Sequence, residues 1–319
     1  MNLFLVVPCY NEEEVLPDTA KKLLAKMEAL CSSGAITQGS IVFVDDGSKD
    51  GTWAIIERLH GENERFRGIR LSRNRGHQNA LLAGLLTVKS ECDAAISLDA
   101  DLQDDIDAID AMLEKYKEGY EIVYGVRSDR KKDSAFKRTT AIAFYKLMRA
   151  MGVELVYNHA DFRLMGRRAL DALETFPEVN IFLRGMVPMI GFKSATVEYV
   201  RGVRLAGESK YPFRKMLEFS FEGITSLSVK PIRVITTVGI LMFLFSLGYL
   251  VYSLVRYFCG FTVPGWTSTV ISIWAVGGLN MLSLGIIGEY IGKIYLETKK
   301  RPRYIIDTYL GGDLPKDRA

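Results

Sequence analysis

Ala94-Ala95-Ile96-Ser97-Leu98-Asp99-Ala100-Asp101-Leu102-Gln103-Asp104 is a short, uncharged, mostly apolar run that breaks at once into carboxylates. A run of this length, closed by turn-forming residues, reads as an apolar strand. Its carboxyl end then carries Asp99 and Asp101, separated by one residue. So placed, the two carboxylates can point toward one cavity and hold a hard divalent cation that also binds a diphosphate. A solvated acidic turn has the same spelling, so the pair gains meaning only from what surrounds it.

Outward from this run, the same pattern repeats. Apolar stretches at 3–7, 41–44, 66–71 and 121–124 alternate with helical patterns at 13–30, 52–60, 77–89 and 106–117. This alternation predicts βαβ units and a mostly parallel, Rossmann-like α/β sheet. In such sheets ligands bind outside the carboxyl ends of the strands, where the polar clusters 9–12, 45–48 and 99–105 fall. Tyr10 and Glu12 place an aromatic ring and a carboxylate where a nucleobase can stack. Asp45 suits hydrogen bonds to a ribose or base. Asp46 and Ser48 fit turn chemistry as well as ligand contact, and Asp50 or Thr52 can cap the following helix. Three polar strand ends together describe a nucleotide-binding crevice.

Farther along, 161–165 reads as another strand, and Asn180 as the cap of a helix running to Met189. Residues 214–229 are amphipathic, with Phe213, Met216, Leu217, Phe221 and Ile224 on one side, as an interfacial helix would be. Two stretches, 234–255 and 267–288, meet the roughly 20 apolar residues that a spanning helix needs. Arg256 is the one charge between 234 and 287. Lys210, Arg214, Lys215, Lys230 and Arg233 precede the first stretch, and Lys293, Lys299, Lys300, Arg301 and Arg303 follow the second. The positive-inside bias places both flanks in the cytoplasm. Two buried core helices are the alternative. The expected division is a catalytic domain at 1–212, an interfacial helix at 213–231, two spans at 232–290 and a cytoplasmic tail at 291–319.

Composition narrows the function. The 319 residues carry 41 Lys plus Arg against 38 Asp plus Glu, a net charge of +3, too balanced for a protein whose main partner is nucleic acid. At 48% hydrophobic and 25% charged the chain is globular rather than disordered. Cys9, Cys31, Cys92 and Cys259 lack metal spacing and a disulfide framework. His60, His77 and His159 are scattered, and His77, after Arg73-Asn74-Arg75-Gly76, is the one near a strand end.

Taken together, Val6-Val7-Pro8-Cys9-Tyr10-Asn11-Glu12-Glu13, Asp45-Asp46-Gly47-Ser48 and Asp99-Ala100-Asp101-Leu102-Gln103-Asp104 resemble a family 2 glycosyltransferase of GT-A fold. Asp161-Phe162-Arg163-Leu164-Met165 and Ala206-Gly207-Glu208-Ser209-Lys210-Tyr211, followed by two spans, narrow the resemblance to the polyprenyl-phosphate glycosyltransferases, relatives of dolichyl-phosphate mannose synthase and the bactoprenol glucosyltransferases.

The resemblance implies inverting transfer of one sugar from a nucleotide sugar to undecaprenyl or another polyprenyl phosphate at the cytoplasmic face of a bacterial inner membrane, for cell-envelope glycan modification. UDP-glucose or a UDP-N-acetylhexosamine is the expected donor. Pro8, Tyr10, Glu12 and Asp45 would contact the nucleoside and Asp99 the ribose or donor. Asp101 and Gln103 would hold Mg²⁺ or Mn²⁺ and the diphosphate, and Asp161 matches the family's proposed catalytic base. A carboxylate paired to Arg163 or another arginine is the structural alternative for Asp161. A phosphate monoester, with a second pKa of about 6, is already largely ionised near neutrality and asks little of a base. Arg127, Arg138, Arg204 and Lys210 are candidates for the acceptor phosphate, since Arg suits bidentate phosphate contact. Resemblance also implies a homo-oligomer, such as a tetramer, packed through helices in which Gly277, Gly278, Gly285 and Gly288 permit close approach.

A processive polysaccharide synthase shares this core but carries a Gln-x-x-Arg-Trp motif, which none of Gln38, Gln78 or Gln103 begins. No G-x-G-x-x-G follows the first strand, which disfavours a dinucleotide oxidoreductase. An inactive nucleotide-sugar-binding membrane scaffold is the remaining alternative, against which Asp99, Asp101 and Asp161 stand.

Overall fold

A computed structural model describes residues 1–128, 148, 150–152, 159–200, 223–226, 228–259 and 265–312. Strand β1 (Asn2–Cys9) leads into helix α1 (Leu16–Ser32), then β2 (Gln38–Asp45), α2 (Thr52–Glu62), β3 (Phe66–Leu71), α3 (His77–Val88), β4 (Ala94–Ser97), α4 (Ala108–Lys117) and β5 (Ile122–Arg127). After these come β6 (His159–Gly166), α5 (Arg167–Glu174), α6 (Leu183–Met189) and β7 (Ser194–Tyr199). Two long helices, α7 (Lys230–Phe258) and α8 (Trp266–Lys299), precede β8 (Ile306–Leu310).

The strands form one sheet in the order β7-β5-β6-β4-β1-β2-β3-β8. The β1, β2, β3 and β4 pairings are parallel, while β6 runs antiparallel between β4 and β5 and β8 runs antiparallel along β3. This is the expected GT-A type of α/β sheet, mostly parallel and mixed at its flanks.

Alternation along the strands explains why both faces are covered. Leu3, Leu5 and Val7 of β1 enter one core with Ile41 and Phe43, beneath α1, α2 and α4. Phe4 and Val6 enter the other with Val42 and Val44, beneath α3 and α5. Successive side chains of a strand point to opposite faces, so uninterrupted apolar runs are what a doubly covered strand requires. Helix α3 comes so close that a Cβ on Gly84 would stand 2.4 Å from Val6 Cγ1 and 2.7 Å from Val44 Cγ2. Only glycine fits there.

Helix α1 begins at Leu16 rather than at 13. Glu13 is engaged in a cross-loop bond, accepting from Gly51 N at 2.7 Å, and Glu12 O closes a turn onto Val15 N and Leu16 N. Asn180 does not cap α6, whose N-cap is Phe182, because Asn180 is bonded to Glu297 instead.

Helices α7 and α8 are long and apolar enough to cross a membrane. Val238, Leu241, Phe245, Ile273, Leu282 and Leu284 among others point outward from the protein, as lipid-facing side chains do. The expected interfacial helix lies mostly outside the described residues. Of its described residues, 223–226 are helical, and Ile224 and Thr225 there are buried. Within the segment expected as a cytoplasmic tail, β8 returns to the sheet, with Gly68 opposite Leu310 and Arg70 opposite Thr308. An edge strand with open N–H and C=O groups is thereby paired.

Candidate active site

Parallel register brings three polar strand ends to one edge. Cys9 at the end of β1 pairs with Asp45 at the end of β2, and Leu98 N, just past β4, donates to Val6 O at 3.1 Å. Pro8 and Tyr10 thus stand beside Asp45, and Tyr10 is 41% exposed.

The loop after β1 is stitched to the loop after β2. Asn11, in the left-handed region at φ 54°, donates through N to Ser48 Oγ at 3.0 Å and accepts from Lys49 N at 2.9 Å. Glu12 N donates to Thr52 Oγ1 at 2.9 Å, and Asp50 Oδ1 accepts from Thr52 N at 3.1 Å. Asp50 therefore serves the start of α2. Asp46, whose role the sequence left open, is a turn residue: Oδ1 accepts from Arg75 N at 2.7 Å and Oδ2 from Gly76 N at 2.8 Å. It fastens the loop 73–76 onto Gly47.

Asp45 is different. Its side chain is fully buried, Oδ1 accepts from Ser48 N at 3.1 Å, and Oδ2 has no hydrogen-bond partner, with Arg70 Nε at 3.8 Å. Burial pushes its carboxyl above the usual value, against the Ser48 bonds and Arg70. A buried carboxylate oxygen without a donor is costly unless a ligand supplies one. Arg70, which also lies 5.5 Å from the Trp53 ring, is a neighbour that no sequence motif marked.

The loop after β4 is pinned by Thr19 of α1, whose hydroxyl donates to Ala100 O at 2.6 Å. Leu102 takes the left-handed conformation at φ 44°. Gln103 N donates to Asp101 Oδ1 at 3.3 Å, while Gln103 Nε2 is buried without a hydrogen-bond partner. An orphaned amide at this position suits a diphosphate oxygen, and the flipped amide presents its oxygen to a cation. Among the described residues no three His, Cys, Asp or Glu side chains converge as a metal cage. The all-oxygen donors of Asp101 and Gln103 thus fit Mg²⁺ or Mn²⁺ only with phosphate oxygens completing the shell.

Asp104 closes the loop in a buried network. Its Oδ1 accepts from Arg127 Nη2 at 3.1 Å and from the Tyr199 hydroxyl at 2.5 Å, and Arg127 Nε donates to Tyr199 Oη at 3.2 Å. Arg127, expected at the acceptor phosphate, is thus engaged with Asp104, because a carboxylate this deeply buried needs a counter-charge. Arg138, Arg204 and Lys210 lie outside the described residues.

Asp161 enters from β6, whose antiparallel register sets Arg163 opposite Ser97. The Ser97 hydroxyl donates to Asp161 O. Arg163 Nη2 donates to Asp161 Oδ1 at 2.6 Å. Arg184, from α6, donates to both oxygens, Nε to Oδ1 at 3.3 Å and Nη2 to Oδ2 at 3.0 Å. Burial alone would raise this carboxyl, but Arg184 and Arg163, with a weaker pull from His77, hold it well below the usual range.

His77, the first residue of α3, bridges the two halves of the site. Its Nε2 lies 3.6 Å from Asp99 Oδ1 and 3.8 Å from Asp161 Oδ2. Enclosure, followed by the charges of Asp161, Asp104 and Asp101, raises the Asp99 carboxyl, and His77 opposes the rise. The crevice therefore joins Asp99, Asp161, His77 and Arg184. His77 was distinguishable in the sequence only by its place after a strand end. Arg184 had no local signal at all.

Residues 4–174 match glycosyl transferase family 2, and residues 230–294 match the GtrB C-terminal hairpin. The chain is 54% identical over 306 residues to the uncharacterized glycosyltransferase YkoT of Bacillus subtilis (strain 168), covering 96% of this chain and 91% of that one. It is 40% identical over 311 residues to the bactoprenol glucosyl transferase of Shigella phage SfX, covering 96% and 99%. The prophage bactoprenol glucosyl transferase homolog of Escherichia coli (strain K12) is 39% identical over 311 residues, covering 96% and 98%.

Proposed function

Since the chain belongs to glycosyl transferase family 2 and carries the GtrB hairpin, we propose that it transfers a single glucose from UDP-glucose to undecaprenyl phosphate, with inversion, at the cytoplasmic face of the bacterial inner membrane. The observation that carries this reading is similarity over nearly the whole chain, hairpin included, to relatives named bactoprenol glucosyl transferases.

In this reading Pro8, Tyr10, Glu12 and Asp45 hold the nucleoside, with Asp45 Oδ2, which has no hydrogen-bond partner, taking a donor from the base or ribose. Asp99 faces the ribose or sugar. The acceptor phosphate oxygen forms the new bond to the anomeric carbon, the bond from that carbon to the diphosphate breaks, and its electron pair leaves with UDP. Asp101 and Gln103 hold Mg²⁺ or Mn²⁺, which when bound neutralises charge gathering on the leaving diphosphate. The loop 73–76, with the buried Arg75 Nε lacking a hydrogen-bond partner, adds donors for that charge.

Asp161, held ionised by two guanidiniums, acts here by orienting its arginines and setting the field around the anomeric carbon, more than by accepting a proton. A phosphate monoester already ionised near neutrality makes that sufficient. Arg138, Arg204 and Lys210 keep their proposed role at the acceptor phosphate, and Arg127 supports the metal loop through Asp104. Packing of the hairpins into a homo-oligomer, such as a tetramer, belongs to the same proposal.

Purified protein with Mg²⁺ or Mn²⁺, undecaprenyl phosphate in detergent and a panel of radiolabelled UDP- and GDP-sugars tests the reading. One labelled lipid from UDP-glucose, abolished by EDTA, is the expected result. A labelled lipid from another donor would overturn the choice of glucose. Nucleotide-sugar binding without any lipid product would overturn the acceptor.

A further inference from the structure

Tyr290, Lys293 and Glu297 lie at i, i+3 and i+7 on α8 and so share one face of the helix. All three reach toward other segments of the protein. The Tyr290 hydroxyl donates to Ser228 O at 2.5 Å, and Lys293 Nζ donates to Ser226 Oγ at 2.7 Å. Glu297 gathers three N–H groups: Val179 N at 2.8 Å, Asn180 N at 2.8 Å and Asn180 Nδ2 at 2.7 Å. Just beyond the helix, Arg303 Nη2 donates to Phe176 O. The loop between α5 and α6 is therefore strapped at Phe176 and at Val179–Asn180 to the last turns of α8 and its exit. A cleft of about 1160 Å³, lined by Glu178, Asn180, Thr225, Lys293, Glu297 and Arg303 among others, runs beneath this strap.

That loop leads straight into Arg184. Leu183 N donates to Gln78 Oε1 at 2.8 Å, next to His77, and Arg184 grips Asp161. From the Glu297 carboxylate to the Asp161 carboxylate the path runs through Asn180, three intervening residues and one guanidinium. Hydrogen bonds to an ionised acceptor are the strong ones, and three on one carboxylate fix both position and orientation of the backbone that receives them.

We propose that Glu297 is a positioning residue for transfer: by holding Val179 and Asn180 it sets Arg184 on Asp161, so the site reaches working geometry only when the catalytic domain is seated on α8. This ties group transfer to the helix that would lie in the membrane with the lipid acceptor. The inference rests on the glycosyl transfer proposed above.

The test uses the full-length protein in lipid nanodiscs, wild type against Glu297→Ala and Glu297→Gln. Hydrogen exchange of the segment 176–186 reports the clamp without requiring any activity. Transfer of glucose from UDP-glucose to undecaprenyl phosphate, with UDP affinity by calorimetry, reports its consequence. In Glu297→Ala, exchange at 179–184 rises and kcat falls about three- to thirtyfold, while UDP affinity and the KM for UDP-glucose stay within about twofold. Glu297→Gln, which keeps an acceptor oxygen, restores most of both. Faster exchange with unchanged kcat would sink the positioning role, as would UDP affinity falling in step with kcat, which marks general loss of structure. Unchanged exchange in Glu297→Ala would remove the clamp itself. Failure of the wild type to transfer glucose overturns the donor and acceptor reading, and exchange then decides the clamp by itself.

Discussion

Arg184 grips both oxygens of Asp161, Nη2 to Oδ2 at 3.0 Å and Nε to Oδ1 at 3.3 Å, while Arg163 holds Oδ1 from the other side at 2.6 Å. A carboxylate between two guanidiniums resists protonation, because each neighbour favours its charged form. The pairing of Asp161 to arginine that the sequence allowed is present, and the same carboxylate lies 3.8 Å from His77 Nε2, which in turn lies 3.6 Å from Asp99.

Replacing Arg184 by Ala removes one of the two groups that orient Asp161, at a side chain that is 36% exposed. Transfer is expected to slow by about a hundredfold with UDP affinity retained. Single-turnover kinetics and calorimetry check this, and loss of UDP binding would count against it. Asp161→Asn leaves Arg163, 1% exposed, without its counter-charge. That variant is expected to lose about 3–5 kcal/mol of stability as well as activity, seen as a lower melting temperature.

Asp45 and Asp161 shift in opposite directions, and this gives the pH dependence. Burial raises Asp45, so it loses its charge on acidification sooner than an ordinary carboxylate of pKa about 4. UDP affinity is expected to weaken as pH falls through that raised value, and Asp45→Asn to abolish the dependence. Asp161 is depressed, so the stability it contributes is complete above the unfolded pKa of about 4 and is lost only as pH falls through its lowered folded value. An acid limb near pH 6 in kcat/KM for the lipid then belongs to the acceptor phosphate, with a second pKa of about 6, and persists in Asp161→Asn. Disappearance of that limb in Asp161→Asn would assign it to the carboxylate instead.

Asp101→Ala removes the carboxylate proposed to share a cation with the diphosphate. Transfer is expected to fall by at least about a hundredfold, and the residual rate to be indifferent to EDTA. UDP binding measured in EDTA should match the wild type. A variant that still responds to added Mn²⁺ as the wild type does would place the cation elsewhere.

Gly47 adopts φ 67°, and a Cβ there would lie 2.7 Å from Arg73 C and from Asn74 N. Neither backbone atom can swing aside like a side chain. Gly47→Ala is expected to cost about 2–4 kcal/mol and to displace the loop that carries Arg75. Thermal denaturation and UDP-glucose calorimetry check the two effects, and a wild-type melting temperature would show that the loop yields freely.

Local chemistry determined a good deal by itself. The apolar runs at 3–7, 41–44 and 94–98 with the helical patterns between them specified a mostly parallel α/β sheet, because residue periodicity is written in consecutive positions. The same holds for the two apolar helices, and for Asp45 and Asp99, which sit at strand ends wherever those strands pair. Partner choice was decided only by tertiary structure. Asp46 spends both oxygens on the backbone of the loop 73–76, Arg127 turns to Asp104, and β8 crosses the whole hairpin to pair with β3. Arg184 meets Asp161 across 23 positions and Glu297 meets Asn180 across 117. A charged side chain can satisfy itself with many partners of opposite sign, and its spelling does not say which one the packing brings within 3 Å.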